Sequence, residues 1–206
     1  MSVAARWFTI AALLVCCTLA TAGSNETRDE SLPLTGRAMQ SDLPPITNLR
    51  LHLRDGDYRI VASDSDDITI RTDEKNREGA KQVRVRLKRT GDSLDVTLTH
   101  VPKRECQITI MVPRETNLFA RMRAGDLSVE GVTGNKDLEL LAGDLVIQGA
   151  DAADYGPVDL SVKFGDVSGG GFGSPKGTVG NSLRHDGSGK YRLHAHVFAG
   201  DLTLRP

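Results

Sequence analysis

Over most of this chain hydrophobic residues recur at every second position, and short polar turns interrupt them. Leu49, Leu51 and Leu53 face one way while Arg50, His52 and Arg54 face the other, before Asp55-Gly56 turns the chain. Tyr58-Arg59-Ile60 and Ile68-Thr69-Ile70 predict two short strands on either side of the acidic turn Asp64–Asp67, and Glu74–Lys81 reads as a charged hairpin loop. Val83, Val85 and Leu87 alternate with Arg84, Arg86 and Lys88, and Gly91-Asp92 turns the chain into Leu94, Val96 and Leu98. Strand Cys106–Val112 ends at Pro113, which cannot donate to a ladder and marks a strand end or an edge. A period of two sends successive side chains to opposite faces, so each stretch predicts a strand with one apolar side. After residue 22 no window of a dozen residues carries an i, i+3, i+4, i+7 apolar stripe, and no helix is predicted.

Past Pro113 the alternation shortens and becomes repetitive. AGDLSVEG at Ala124–Gly131 returns as AGDLVIQG at Ala142–Gly149, FGDVSGGG at Phe164–Gly171 and AGDLTLRP at Ala199–Pro206. The glycines of these phrases are 18, 22 and 35 residues apart, and the longest interval holds a worn copy, Gly180-Asn181, with Asn in place of Asp. Each strand offers two or three aliphatic residues to a core, too few for a lone hairpin, so successive rungs must stack and share one interior. Glycine supplies positive φ at a corner, and the aspartate after it can accept a hydrogen bond from the backbone two residues on. The expected fold is all-β: an N-terminal antiparallel β-sheet region over Leu49–Val112 continuing into a short β-solenoid over about Leu118–Leu204. A two-sheet β-sandwich is the alternative, since alternation alone does not separate the two.

The run from Ile110 to Ile147, IMVPRETNLFARMRAGDLSVEGVTGNKDLELLAGDLVI, resembles the bacterial putative-adhesin family, a domain of unknown function. Its members have a strand ending in Val-Pro, then successive Gly-Asp turns, each followed by a short aliphatic strand. The resemblance extends from about Leu49 to Leu204 and is interrupted at Gly169–Gly171 and along Gly173–Lys190. It implies an exported β-solenoid-like domain with no assigned catalytic residues.

The N-terminus reads as an export signal over residues 1–22. Arg6 precedes a 14-residue apolar run, Trp7–Ala20, and Ala20-Thr21-Ala22 suits cleavage before Gly23. So short a run falls below the roughly 20 residues of a spanning helix; a retained anchor is the alternative. Leu14-Val15-Cys16-Cys17 approaches a lipoprotein box but has Cys where a small residue belongs. Residues 23–45, polar and holding Pro33, Pro44 and Pro45, read as a disordered linker, and 46–206 as one all-β domain. Removal of the signal leaves Cys106 alone, which excludes a disulfide within the chain. Its alternation with Ile108, Ile110 and Val112 places it on an apolar face as a buried, inert thiol.

Charge is nearly balanced at −1 overall but uneven. From Ile46 to Arg123 there are 16 Lys and Arg against 12 Asp and Glu, a balance of +4; from Ala124 to Pro206 there are 7 against 11, a balance of −4. Solvated strand faces account for this simply, and a charge dipole favouring head-to-tail contacts or a polyanionic surface is the sharper reading.

Three constellations invite chemistry. Asp126, Asp144, Asp166 and Asp201, one per repeat, would stack along an edge about 4.7–4.9 Å apart, where calcium could bridge them. Corner structure is the preferred reading, because the repeat is poorer in glycine and longer than the calcium-binding nonapeptide. His194 and His196 share the outer face of a strand, with His185 and Asp186 as the nearest further ligands for zinc or copper; two imidazoles without fixed partners read as solvated residues. Gly187-Ser188-Gly189-Lys190 lacks the leading glycine and the following Ser or Thr of a phosphate loop, and no nucleophile elbow or zinc-protease pair occurs. The basic row Arg84, Arg86 and Lys88 lacks the interleaved aromatics of a nucleic-acid platform. The expected function is an exported, non-enzymatic structural or adhesive module without cofactors. Its partner would be an envelope or surface protein or a polysaccharide, in the periplasm, the outer envelope or at the cell surface. A carbohydrate-active β-helix protein and an envelope-sensing or assembly partner are the rivals.

Overall fold

The computed structural model describes residues 27–30, 46–72, 82–102, 106–177 and 180–206. The signal, most of the linker and the Glu74–Lys81 loop lie outside the described residues. Alternation in the sequence becomes strands of alternating burial, and among the described residues these number sixteen. In chain order they are β1 (Thr27–Glu30), β2 (Asn48–Asp55), β3 (Asp57–Ser63), β4 (Thr69–Thr72), β5 (Arg84–Thr90), β6 (Ser93–Thr99), β7 (Gln107–Pro113) and β8 (Asn117–Ala124). They continue as β9 (Leu127–Glu130), β10 (Lys136–Ala142), β11 (Leu145–Gln148), β12 (Tyr155–Phe164), β13 (Val167–Ser168), β14 (Asn181–Asp186), β15 (Tyr191–Ala199) and β16 (Leu202–Arg205).

Two mixed sheets share these strands, and neither closes into a barrel. The nine-stranded sheet has the order β1-β5-β6-β2-β8-β10-β15-β12-β14, and the seven-stranded sheet β13-β16-β11-β9-β3-β7-β4. Their inward residues, mostly Leu, Ile and Val, form one core between them. The all-β class is therefore found, in the two-sheet form. Repeats stack within it: at Gly56, Gly125, Gly143, Gly165 and Gly200 the chain leaves the first sheet and enters the second. The resulting pairs β2/β3, β8/β9, β10/β11, β15/β16 and β12/β13 lie parallel to their neighbours.

Three details differ from expectation. The Leu49–Val112 region is not an antiparallel sheet, because β2 runs parallel to β6 and β3 parallel to β7; within Leu49–Val112 only β5–β6 and β4–β7 pair antiparallel. Alternation fixes which side chain points inward and is blind to strand direction. The rungs are also out of chain order, since β15/β16 sits between β10/β11 and β12/β13, whereas a solenoid would stack them in sequence. The worn copy at Gly180-Asn181 is no rung: Asn181 opens β14, which pairs antiparallel with β12. At the opposite edge Thr27–Glu30, inside the segment expected to be linker, pairs antiparallel with Arg84–Thr90; an exposed edge accepts any extended backbone.

One further copy of the corner was not read from the sequence. Asp55-Gly56-Asp57-Tyr58 makes the same passage between sheets, with Gly56 N donating to Ala124 O at 3.0 Å and Tyr58 N to Asp126 O at 2.9 Å.

At the other end of these strands runs an asparagine ladder that the sequence reading missed. Asn117 Nδ2 donates to Asn48 Oδ1 at 3.0 Å, Asn135 Nδ2 to Asn117 Oδ1 at 2.8 Å, and Arg192 N to Asn135 Oδ1 at 2.8 Å. Amide side chains suit such a row because each carries donor and acceptor and bonds to its own kind one strand away. Asn117→Ala removes the middle link and is expected to lower unfolding free energy by about 1–3 kcal/mol, read as an earlier urea midpoint at unchanged slope. An unchanged midpoint would show that water replaces the ladder fully.

Among the described residues the core takes in a buried lysine. Lys136 opens β10 where its register partners on β8 and β15 are Leu118 and Leu193, and it is 2% exposed. Its Nζ donates to Gly134 O at 3.2 Å and to the Tyr155 hydroxyl, and lies 4.6 Å from the centre of the Tyr155 ring. Burial pushes its pKa down to about 7, partly offset by the carboxylate of Asp154.

Candidate functional site

Any site must be built on what the rungs leave exposed: the Gly-Asp corners and the outer faces. The four aspartates do form a column, in the spatial order Asp126, Asp144, Asp201, Asp166. Each carboxylate is engaged by the next rung. Asp126 Oδ1 accepts from Asp144 N at 3.3 Å, Asp144 Oδ1 from Asp201 N at 3.0 Å, and Asp201 Oδ1 from Asp166 N at 2.9 Å. Asn181 ends the row, its Nδ2 donating to Asp166 Oδ1 at 2.9 Å and to Gly165 O at 3.0 Å. The bond expected inside each turn thus runs between rungs instead. Behind the carboxylates, Gly125 N, Gly143 N and Gly200 N donate to Ala142 O, Ala199 O and Phe164 O, so the corner backbone is paired along the stack.

The glycines are required by packing. A Cβ on Gly143 would lie 2.0 Å from Gly125 O, and its φ of +127° disfavours any L side chain. Gly125 stands in the same relation to Gly56 O. The column is hydrogen-bonded scaffold with one carboxylate oxygen per rung engaged. Among the described residues no three His, Cys, Asp or Glu side chains gather closely enough to hold a metal ion. Asp144→Asn keeps the acceptor oxygen and is expected to shift stability by less than about 1 kcal/mol, with no heat of calcium binding to the parent protein and no fall in its melting temperature on adding chelator. Calcium heat that disappears in Asp144→Asn would establish a cation ladder.

His194 and His196 project from the outer face of the nine-stranded sheet, as the alternation of β15 predicts, and each has a local partner. His194 Nδ1 lies 2.9 Å from Asp137 Oδ1, and His196 Nδ1 lies 2.9 Å from Ser161 Oγ. His185 is on β14, two strands from β15, with its ring edge-to-face against Phe172 at 5.5 Å. These contacts hold the imidazoles to separate neighbours rather than to a common point. Cys106 is 2% exposed on the inner side of the seven-stranded sheet.

The outer face of the nine-stranded sheet carries most of the uncovered chemistry. Register places five residues side by side just before the corners: Arg54 on β2, Arg123 on β8, Leu141 on β10, Phe198 on β15 and Lys163 on β12. Leu141 and Phe198 are 52% and 43% exposed, and Phe164, 55% exposed, meets Phe198 edge-to-face at 5.4 Å. Arg123 makes a two-pronged ion pair with Asp55, at 2.7 and 2.6 Å, which holds the guanidinium in its charged form. One row inward, Arg121 stacks on Phe119 at 4.4 Å and pairs with Glu139. A shallow groove of about 580 Å³ crosses the strands here, from Thr97 past Arg54 and Arg123 to Leu141 and Phe198. The opposite outer face is plainer, with Arg59 and Glu130 forming a two-pronged pair at 2.7 and 2.5 Å that holds the Glu130 carboxyl below its usual range.

No family model and no curated protein matches the chain. Its fold is similar to that of a putative cell adhesion protein from Clostridium sporogenes ATCC 15579, with a TM-score of 0.53 and 8% identity over 88% of this chain and 98% of that one. A second solved structure, a putative adhesin from Bacteroides fragilis NCTC 9343, aligns with 89% of this chain and 98% of its own at 11% identity, with a TM-score of 0.24. At these identities the first likeness is one of fold: both chains build the same kind of two-sheet β architecture.

Proposed function

We propose that this chain is an exported, non-enzymatic β-sheet module with an adhesive or structural role at the bacterial cell envelope, acting through the outer face of its nine-stranded sheet. The observation that carries the reading is the use of the repeated polar residues. The aspartates and asparagines that recur with the repeat accept backbone N–H groups or one another, which leaves the broad sheet faces as the surface open to a partner. The adhesion-related name of the Clostridium sporogenes protein sharing this fold agrees with it. So does the export signal read from residues 1–22. Among the described residues no helix is long and apolar enough to cross a membrane.

Cell fractionation followed by protease treatment of intact cells tests the reading. Recovery with the envelope is expected, and recovery wholly in the cytoplasm would discard it. A panel of polysaccharides incubated with the protein should remain undegraded; turnover abolished by Asp144→Asn would replace the module with a carbohydrate-active enzyme.

A further inference from the structure

The geometry points to a docking track for an acidic polysaccharide, a glycan carrying carboxylates along its rings, across the outer face of β2, β8, β10, β15 and β12. This rests on the reading of the chain as a binding module and names the chemistry of its ligand. The track is the row Arg54, Arg123, Leu141, Phe198, Lys163, in which cations bracket an apolar centre.

Three features select this ligand. Of the acidic side chains on the strands of this face, Asp55 is engaged by Arg123, and Asp137 and Glu139 by Arg121. Arg54 and Lys163, by contrast, have no ion-pair partner among the described residues, so both stand ready for carboxylates brought from outside; charge-assisted pairs of this kind are the strong ones. The centre of the row, Leu141 and Phe198, is more than two-fifths exposed. Sugar rings present C–H faces that pack on such apolar surfaces, as pockets with a few placed polar groups do for other ligands. The repeat lengths agree as well: a sugar ring spans about one strand spacing, roughly 5 Å, so successive rings can follow successive strands. A nucleic acid would want several stacking aromatics along the basic half, and Phe119 there is covered by the Arg121 guanidinium. A lipid surface is the other chemistry that cations beside exposed apolar side chains can meet, and vesicles separate it from a polysaccharide in the test below.

Isothermal titration of the full-length protein with polygalacturonate tests the assignment, with dextran, polyphosphate and phosphatidylglycerol vesicles as comparisons. Polygalacturonate is expected to bind at least tenfold more tightly than any of the three. The double substitution Arg54→Gln, Lys163→Gln should weaken binding at least tenfold and flatten its salt dependence. Phe198→Ser should weaken it several-fold with the salt dependence unchanged, since its part is apolar. All three positions are exposed; should a variant fail to fold, the preference of the parent protein among the four ligands decides alone. Equal binding of dextran, equal binding of polyphosphate, or vesicle binding without polygalacturonate binding would each overturn the proposal, as would variants that bind like the parent. Absence of binding by a protein still found at the envelope overturns this assignment and leaves the module reading standing, whereas shortening of the polymer overturns the module reading itself.

Discussion

Gly143→Ala is expected to be among the most damaging single-methyl changes at the described glycines. The added Cβ would stand 2.0 Å from Gly125 O, and the residue would be held at φ +127°. Neither conflict relaxes locally, because the neighbour is backbone already hydrogen-bonded into the next rung. Overpacking and a left-handed non-glycine residue together cost roughly 3–5 kcal/mol. At about 2–4 °C per kcal/mol for a domain of this size, thermal unfolding followed by circular dichroism should show a loss on the order of 10 °C or no folded protein. Gly91→Ala is the control. Its φ of +62° is also positive, but nothing lies within 4 Å of the new methyl, so only the backbone preference is lost, about 1–2 kcal/mol. If the two variants melt together, close packing at the corner is not what the glycine column serves.

The second large effect concerns Lys136 and depends on pH. The folded state lowers its pKa to about 7 from the usual 10.5, so between those values the unfolded chain holds the extra proton. Stability from this residue therefore rises with pH across that window, and below pH 7 the full penalty applies. Each pKa unit corresponds to about 1.4 kcal/mol, which bounds the penalty near 4–5 kcal/mol. Lys136→Met, similar in length and uncharged, should stabilise the protein at pH 6 even after losing the bonds to Gly134 O and Tyr155. Its advantage should shrink by about 3 kcal/mol on going to pH 9.5. Urea unfolding at the two pH values measures the difference, and other titrating groups cancel between parent and variant. An advantage that is absent at pH 6, or that does not change with pH, would mean that the ammonium is solvated by a route other than its two bonded partners.

The same residue shows what a sequence can and cannot disclose. Alternation located the strands and their inward faces, since burial is a matter of period, and the Gly-Asp phrase located four of the five corners. Asp55-Gly56-Asp57 escaped because Tyr58-Arg59-Ile60 does not look like Leu127-Ser128-Val129, although it occupies the same place. Aligning the corners would have recovered it. Asn48, Asn117 and Asn135 each stand eight residues before a corner glycine, and one position later come Leu49, Leu118, Lys136 and Leu193, a core column with a lysine in it. Strand direction and rung order were not legible, because they depend on which distant edges meet and alternation carries no record of that. The bonding of the aspartates between rungs is hidden for the same reason. The outer-face row Arg54, Arg123, Leu141, Phe198, Lys163 draws one residue from each of five separated segments, so no local motif announces it.

The displaced position of β15 and β16 has a consequence for when the molecule can fold. These strands follow all the other described strands along the chain, yet they lie in the interior of both sheets, joining β10 and β11 on one side to β12 and β13 on the other. Until residues 191–206 arrive, β10 and β12 must wait as two open parallel edges with nothing between them, and pairing across long sequence separations is slow. A nascent chain can assemble its first rungs but cannot complete either sheet. Residues 191–206 are thus the latch that joins the two halves of each sheet.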